Sequence, residues 1–146
     1  MRSESGTYAL VLQSRLETTI QIGRWRQIDI KRGYYVYVGS AFGPGGVRSR
    51  VTRHFRSDKP LRWHIDYLRE ILTPLVAWYS HHPDRLEHRW AQVFCDMGDM
   101  APVKGFGCSD CNCHSHLFQT SERPDMARFA NTAGAVVEAW NHQCAG

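Results

Sequence analysis

No stretch of the sequence approaches the roughly 18 consecutive apolar residues that a membrane-crossing helix needs. The first residues, Met1-Arg2-Ser3-Glu4-Ser5, lack the apolar run of a secretory signal. Internal repeats, low-complexity tracts and long linkers are absent as well, which excludes repeat and disordered architectures. Cysteine is scarce and odd in number, five in all, with three crowded at Cys108, Cys111 and Cys113. That usage fits a reducing compartment or a metal better than a disulfide framework, so the expectation is a cytoplasmic protein.

What is there is enough for one domain. The chain has 146 residues, 42% hydrophobic and 22% charged, and at this size a fold buries about 70% of the surface its unfolded form exposes. Charge is in modest excess at +4. The excess is concentrated in residues 48–62, where Arg48, Arg50, Arg53, His54, Arg56, Lys59 and Arg62 face one acid, Asp58. Such a run suits phosphate contacts, with a solvated helix face as the alternative.

The order of short elements predicts an α+β fold, a small antiparallel sheet flanked by helices. Residues 6–13 carry Tyr8, Leu10 and Leu12 on one face and Thr7, Ala9 and Val11 on the other, the two-sided apolar pattern of a central strand. Thr18–Ile22 and Arg26–Ile30 alternate with period two around a turn at Gly23, and 34–38 is a fourth extended segment, together an antiparallel meander. Four Gly and one Pro in 39–46 make a loop. Over 47–55 the apolar residues Val47, Val51 and Phe55 recur every four positions, which predicts a helix with Arg50 and His54 side by side along one edge of its buried stripe and Arg48 along the other.

Further on, 61–72 reads as helical, ended by Thr73-Pro74, and 75–79 as a short strand. After Pro83 and Asp84 comes a helix burying Leu86, Trp90, Val93, Phe94 and Met97, with Glu87 bordering that face. A short strand over 117–119 precedes a final helix opened by Pro124 and carrying Met126, Phe129, Ala130, Ala133, Val137 and Trp140 on one side. The predicted organisation is one domain over 1–146, with a core over about 5–97 and a Cys/His loop and helix over 105–142.

Three pieces, read together, carry chemistry: Gly6-Thr7-Tyr8, Tyr37-Val38-Gly39 and the Arg50–His54 pair. They resemble the signature of the GIY-YIG nuclease superfamily, in which two Tyr on neighbouring strands, a helical Arg and a later helical Glu surround one divalent metal. Glu87 followed by Trp90 resembles the start of the helix that supplies the metal-binding carboxylate. Thr7 and Val38 replace the signature's Ile residues, and the loop before Arg50 is slightly longer and richer in Gly. Over nearly the whole chain, Tyr37-Val38-Gly39-Ser40-Ala41-Phe42-Gly43-Pro44-Gly45-Gly46, Trp63-His64-Ile65-Asp66-Tyr67-Leu68 and Gly105-Phe106-Gly107 look like the Uri family, which is described as endonuclease-like.

The resemblance implies a catalytic set of Tyr8, Tyr37, Arg50, His54 and Glu87, with Glu87 holding Mg²⁺ or Mn²⁺. The residue types suit the chemistry, since phosphodiester hydrolysis needs an activated water, charge stabilisation at phosphoryl oxygens and help for the leaving oxygen. A single carboxylate with a shell of waters is enough for Mg²⁺. A phenol serves as general base only if a neighbouring cation lowers its pKa, and Arg50 is placed for that or for phosphate. Arg48, Arg53, Arg62, Trp63 and His64 are candidate nucleic-acid contacts, Trp63 as a stacking surface. Cys108, Cys111, Cys113, His114 and His116 include enough ligands for tetrahedral Zn²⁺. The alternatives there are a loop of small buried thiols, or an active-site contribution with His116 as its foremost member.

The expected function is thus a metal-dependent DNA endonuclease acting at a structure, lesion or single-stranded region, with RNA left open as a substrate. The rival from another class is a nucleic-acid-binding module that keeps the fold without cutting, its Cys/His loop stabilised by zinc. Whether the chain works alone, as a dimer or with a protein partner is not written in the sequence.

Overall fold

A computed structural model describes residues 1–107 and 115–142. The elements in chain order are strands β1 (Gly6–Ser14), β2 (Thr18–Ile22), β3 (Arg26–Ile30) and β4 (Gly33–Ala41), then helices α1 (Gly46–Phe55) and α2 (His64–Leu68). They are followed by β5 (Thr73–Ser80), α3 (Glu87–Asp96), β6 (Ala101–Pro102), β7 (Leu117–Thr120), α4 (Met126–Ala133) and β8 (Glu138–Trp140). The fold is α+β. Among the described residues no helix is long and apolar enough to cross a membrane.

The main sheet has six strands in the order β6-β7-β4-β1-β5-β8, every pairing antiparallel. β1 lies between β4 and β5 and is buried along almost its whole length, which is why both of its faces are apolar. On one face Tyr8, Leu10 and Leu12 pack with Val47 and Val51 of α1, Ile65 and Leu68 of α2 and the isoleucines of the β2–β3 hairpin. On the other, Ala9 and Val11 pack with Trp90 and Phe94 of α3 and Phe129 of α4. Thr7 and Tyr8, adjacent in sequence, therefore serve opposite layers.

The expected meander takes a different form. β2 and β3 pair only with each other, as a separate two-stranded sheet, and β1 pairs directly with β4 across them. The hairpin is an insertion laid over the layer that holds α1 and α2. From the segment 105–142, β7 and β8 extend the main sheet at both sides.

The second predicted helix is cut to His64–Leu68. The buried carboxylate of Asp66 explains the late start, since it accepts from the amides of Arg62 and Trp63, each at 2.9 Å, and so caps the helix there. The final helix ends early, at Ala133, because Gly134 takes a left-handed conformation (φ 65°). Val137 and Trp140, expected on that helix, lie beyond it, and Trp140 in β8 meets Phe55 edge-on at 4.9 Å.

α1 lacks a side-chain cap, and Gly45 and Gly46 at its start have φ of 84° and 58°. The carbonyls of Glu4 and Arg2 instead accept from Val47 and Arg48 at 3.0 and 3.1 Å. A Cβ at position 46 would stand 2.3 Å from the carbonyl oxygens of Ser3 and Glu4, so only glycine allows the approach. At the other end, Lys59 donates to the carbonyls of Arg53 and His54 at 3.0 and 3.1 Å, and Arg69 to that of His54 at 2.6 Å. Cations thus close a helix end whose dipole favours them.

Asp66 ties these pieces together. Arg53 grips it through both carboxylate oxygens at 2.9 and 3.0 Å, with Lys59 at 4.0 Å, and the carboxylate is buried. Burial pushes its pKa up, yet the Arg53 guanidinium and the two amides outweigh that and hold it below the usual carboxylate range. Removing one partner of such a pair strands the other charge, so Asp66→Ala should lose about 3–5 kcal/mol. Urea unfolding checks this; a loss under about 1 kcal/mol, the surface-pair range, would contradict it.

Candidate active site

Tyr8 reaches the edge of the sheet from the start of β1, its ring buried and its hydroxyl 2.6 Å from Nε2 of His54 in α1. Across the β1–β4 ladder its register partner is Gly39. A Cβ there would lie 2.5 Å from the Tyr8 hydroxyl, so glycine leaves the space that the phenol fills. His54 is wholly buried, and its Nδ1 has no hydrogen-bond partner among the described residues. Placing the ring proton on Nε2 leaves only a lone pair unsatisfied, whereas the other tautomer strands an N–H. His54 therefore donates and the Tyr8 oxygen accepts.

Burial is also the chief reason that the His54 pKa falls to about 3, with Lys59, Arg50 and Arg53 pushing the same way and Asp66 against them. The imidazole is thus neutral at ordinary pH. For Tyr8, burial and the nearby Tyr37 and Glu87 raise the pKa well above its usual value, while charge and a hydrogen bond from Arg50 pull it down. One donor, His54, therefore meets the phenol oxygen while the Arg50 guanidinium acts on it nearby, and neither ionises it.

Tyr37 from β4 is half-buried and meets His54 edge-on, ring centres 6.0 Å apart. Burial and then Glu87 raise its pKa, against Arg50. Arg50, one turn before His54, lies 4.4 Å over the ring of Trp63, and its Nη1 donates to the carbonyl of Ser40 at 3.4 Å. The four-residue spacing seen in the sequence thus does bring Arg50 and His54 to one place.

Glu87 opens α3. The amide before it, that of Leu86, donates to the buried hydroxyl of Thr7 at 3.2 Å, fastening the helix start to β1. The Glu87 carboxylate accepts from Nδ1 of His116 at 2.9 Å. Burial alone would raise its pKa, but His116, Ser40 and His88 together outweigh that and hold it below the usual range. His116 is buried and locked at both backbone ends, its amide donating to Phe106 and its carbonyl accepting from Val38, both at 2.8 Å.

Among the described residues, no group of three or more His, Cys, Asp or Glu is placed to share a metal. One oriented, ionised carboxylate among phenols and a guanidinium fits a hard cation that keeps most of its waters, not a tight all-protein cage. Cys108, Cys111, Cys113 and His114, expected as a zinc or active-site loop, lie outside the described residues. His116, the remaining member of that set, is on Glu87.

A family model described as domain of unknown function DUF123 matches residues 7–139, a span that contains every group just placed. The chain belongs to the DUF123 family. No curated protein and no solved structure matches it.

In this DUF123 chain the five residues of the expected catalytic set come from β1, β4, α1 and α3 and act on one another. The expected nucleic-acid contacts divide. Arg48 and Arg62 are exposed, Arg62 with its guanidinium 5.7 Å from the Trp63 ring centre. Arg53 also covers Trp63, at 4.2 Å, but its fork is spent on Asp66. His64 is exposed and stacks at 5.1 Å on Trp25, at the turn of the β2–β3 hairpin. The sequence offered no signal for Trp25 or for the Thr7 hydroxyl, since both belong to contacts between distant segments.

The neutral His54 makes stability depend on pH. Unfolded, the imidazole titrates near 6.5, and in the fold only at about 3, so between these values the unfolded chain holds the extra proton. Its contribution is complete above pH 6.5 and lost as pH falls, about 2 kcal/mol between pH 7 and pH 5. His54→Gln should flatten this slope in urea unfolding at the two pH values; an unchanged slope would remove His54 as its source.

Proposed function

We propose that the protein is a metal-dependent DNA endonuclease of the GIY-YIG type, cutting phosphodiester bonds at a structure, lesion or single-stranded region. The observation that carries this reading is the convergence of Tyr8, Tyr37, Arg50 and Glu87, from four separate elements, on one spot where Tyr37, Arg50 and Glu87 each shift the ionisation of Tyr8. A binding surface has no use for one buried and one half-buried phenol beside an ionised carboxylate. A phosphoryl-transfer site has use for all four.

Arg50 is the group for the phosphate: its planar fork matches two phosphoryl oxygens, and the Trp63 ring and the Ser40 carbonyl hold it in place before substrate arrives. Tyr8 orients the attacking water. Its oxygen accepts from His54, which leaves its own O–H to hold the water, with the Arg50 guanidinium nearby. His54, buried and neutral, acts through Tyr8 and is a positioning residue. Glu87 would hold Mg²⁺ or Mn²⁺, and the chemistry the ion supplies when bound is charge neutralisation at the phosphoryl and leaving oxygens. His116 keeps the Glu87 carboxylate ionised and aimed. Arg48 and Arg62, exposed beside the site, suit backbone phosphates.

The test uses end-labelled single-stranded, duplex, abasic and branched DNA with Mg²⁺, Mn²⁺ or EDTA. At least one substrate should be cut only with metal. Arg50→Ala and Glu87→Gln should each lower the rate by about 10²–10³, and Arg50→Lys should not restore it, because an ammonium lacks the fork. Binding without cutting of any substrate by the wild-type chain would overturn this reading in favour of a non-catalytic nucleic-acid module.

His116→Ala gives a finer check. Losing a group that orients a metal-holding carboxylate typically costs about 10–100-fold in metal affinity. The Mg²⁺ concentration for half-maximal cutting should rise by that factor, while thermal unfolding without metal moves little. An unchanged Mg²⁺ requirement would remove His116 from the site.

A further inference from the structure

A cavity of about 590 Å³ lies where the end of β5, the start of α3 and the α4–β8 connection meet. Leu86, Arg89 and Trp90 line it and Glu87 does not. Two residues apart on a helix, Glu87 and Arg89 point to opposite faces, so the first turn of α3 separates this cavity from the catalytic cluster. The volume falls in the range of about 300–1,000 Å³ usual for small-molecule and cofactor sites.

The walls are fastened in place. Nδ1 of His81 donates to the carbonyl of Ser5 at 3.0 Å, and its Nε2 accepts from the amide of Arg2 at 3.1 Å, which fixes a neutral tautomer and pins the N-terminal segment against the cavity. The Tyr79 hydroxyl donates to one oxygen of Glu138 at 2.8 Å, orienting that carboxylate. Arg89 makes no ion pair among the described residues and stands over Gly134, where an added Cβ would meet its guanidinium at 3.9 Å. The lining thus combines apolar surface from Leu86, Ala135 and the exposed Val136 with an uncommitted guanidinium and the carboxylates of Asp84 and Glu138.

That mixture selects a ligand class. A bare anion would meet two carboxylates, and an apolar ligand would leave the charges unanswered. A nucleotide answers both, its phosphate taking the guanidinium and its base the apolar surface. A carboxylate accepts from the exocyclic amino group of cytosine, adenine or guanine, whereas thymine carries no such donor.

We propose that this cavity binds a nucleoside monophosphate unit, with the phosphate on Arg89 and an amino-bearing base against Glu138. The unit is either a nucleotide of the cut strand, a form that rests on the nuclease reading, or a free nucleotide, which does not. The chemistry is the same for both.

The experiment titrates dCMP and TMP into the full chain in EDTA and follows the backbone amide resonances. Saturable shifts in residues 79–89 and 133–138 are expected, with dCMP at least about tenfold tighter than TMP. Arg89→Ala should weaken dCMP about tenfold or more, and Glu138→Gln should abolish the preference over TMP. The absence of saturable shifts with both nucleotides, or shifts indifferent to Arg89→Ala, overturns the site; a preference that survives Glu138→Gln overturns the assignment of the base. In a second arm a single-stranded oligonucleotide is added. Displacement of dCMP assigns the cavity to the strand, and simultaneous binding assigns it to a free nucleotide. Glu87→Gln should bind dCMP as the wild type does. A chain that binds dCMP and cuts nothing therefore loses only the nuclease reading, and one that cuts without binding dCMP loses only this one.

Discussion

Everything at the site hangs on the burial of β1 from both sides. A strand packed between two others, with helices over each face, cannot slip by a residue without turning its whole apolar set outward. Its register fixes Tyr8 toward the layer of α1 and α2 and Thr7 toward that of α3 and α4. One residue then supplies the phenol of the site, while its neighbour, through the amide of Leu86, sets where the helix bearing Glu87 begins. Two layers that share no side chain are brought to one edge by consecutive residues.

The second constraint is the handling of charge around His54. A solvated imidazole at this position would be half-protonated near neutral pH and would compete with Arg50 for space and counter-charge. Burial removes that possibility, and Lys59, at the C-terminal end of α1, reinforces it together with Arg50 and Arg53. Asp66, whose carboxylate is bound by Arg53 and two amides, pulls the other way. The neutrality of His54, and with it the acceptor role of the Tyr8 oxygen, is thus set by burial and these cations against that carboxylate.

What the sequence made legible followed from short-range periodicity. The two-faced pattern of 6–13, the spacing of Val47, Val51 and Phe55 with Arg50 and His54, and the apolar face behind Glu87 are each properties of one element, and each has its place in the structure. The misplaced boundaries have long-range causes. Residues 61–72 have helical composition, but Asp66 diverts the amides of Arg62 and Trp63 into a cap. The final helix carries its apolar spacing through Gly134, which the backbone uses to stop. Thr7 was read as a β-branched stand-in for isoleucine, and its hydroxyl proved to matter as an acceptor for a residue 79 positions away. The sequence makes His116 the foremost active-site candidate of its loop but does not say what it meets; the hydrogen bonds of its backbone to Val38 and Phe106 hold it where its ring reaches Glu87.

For the nucleic acid proposed as substrate, a count of charges in the basic run of 48–62 overstates what the protein would offer it. Arg53 and Lys59 are consumed within the fold, one by Asp66 and the other by the last carbonyls of α1, and burial draws the Lys59 pKa down to about 8. Arg48, Arg56 and Arg62 remain exposed, and Arg50 sits half-buried at the site. The cations this run leaves for phosphate are therefore few, and of these Arg50 and Arg62 flank the Trp63 ring. A surface of that kind gives weak attraction over a distance and firm placement at one point, because screened charges fade within a Debye length while a held guanidinium does not need to search. Selectivity must then come from the shape of the cleft and the groups lining it, a demand that rigid walls built from β1, β4 and the first turns of two helices are suited to meet.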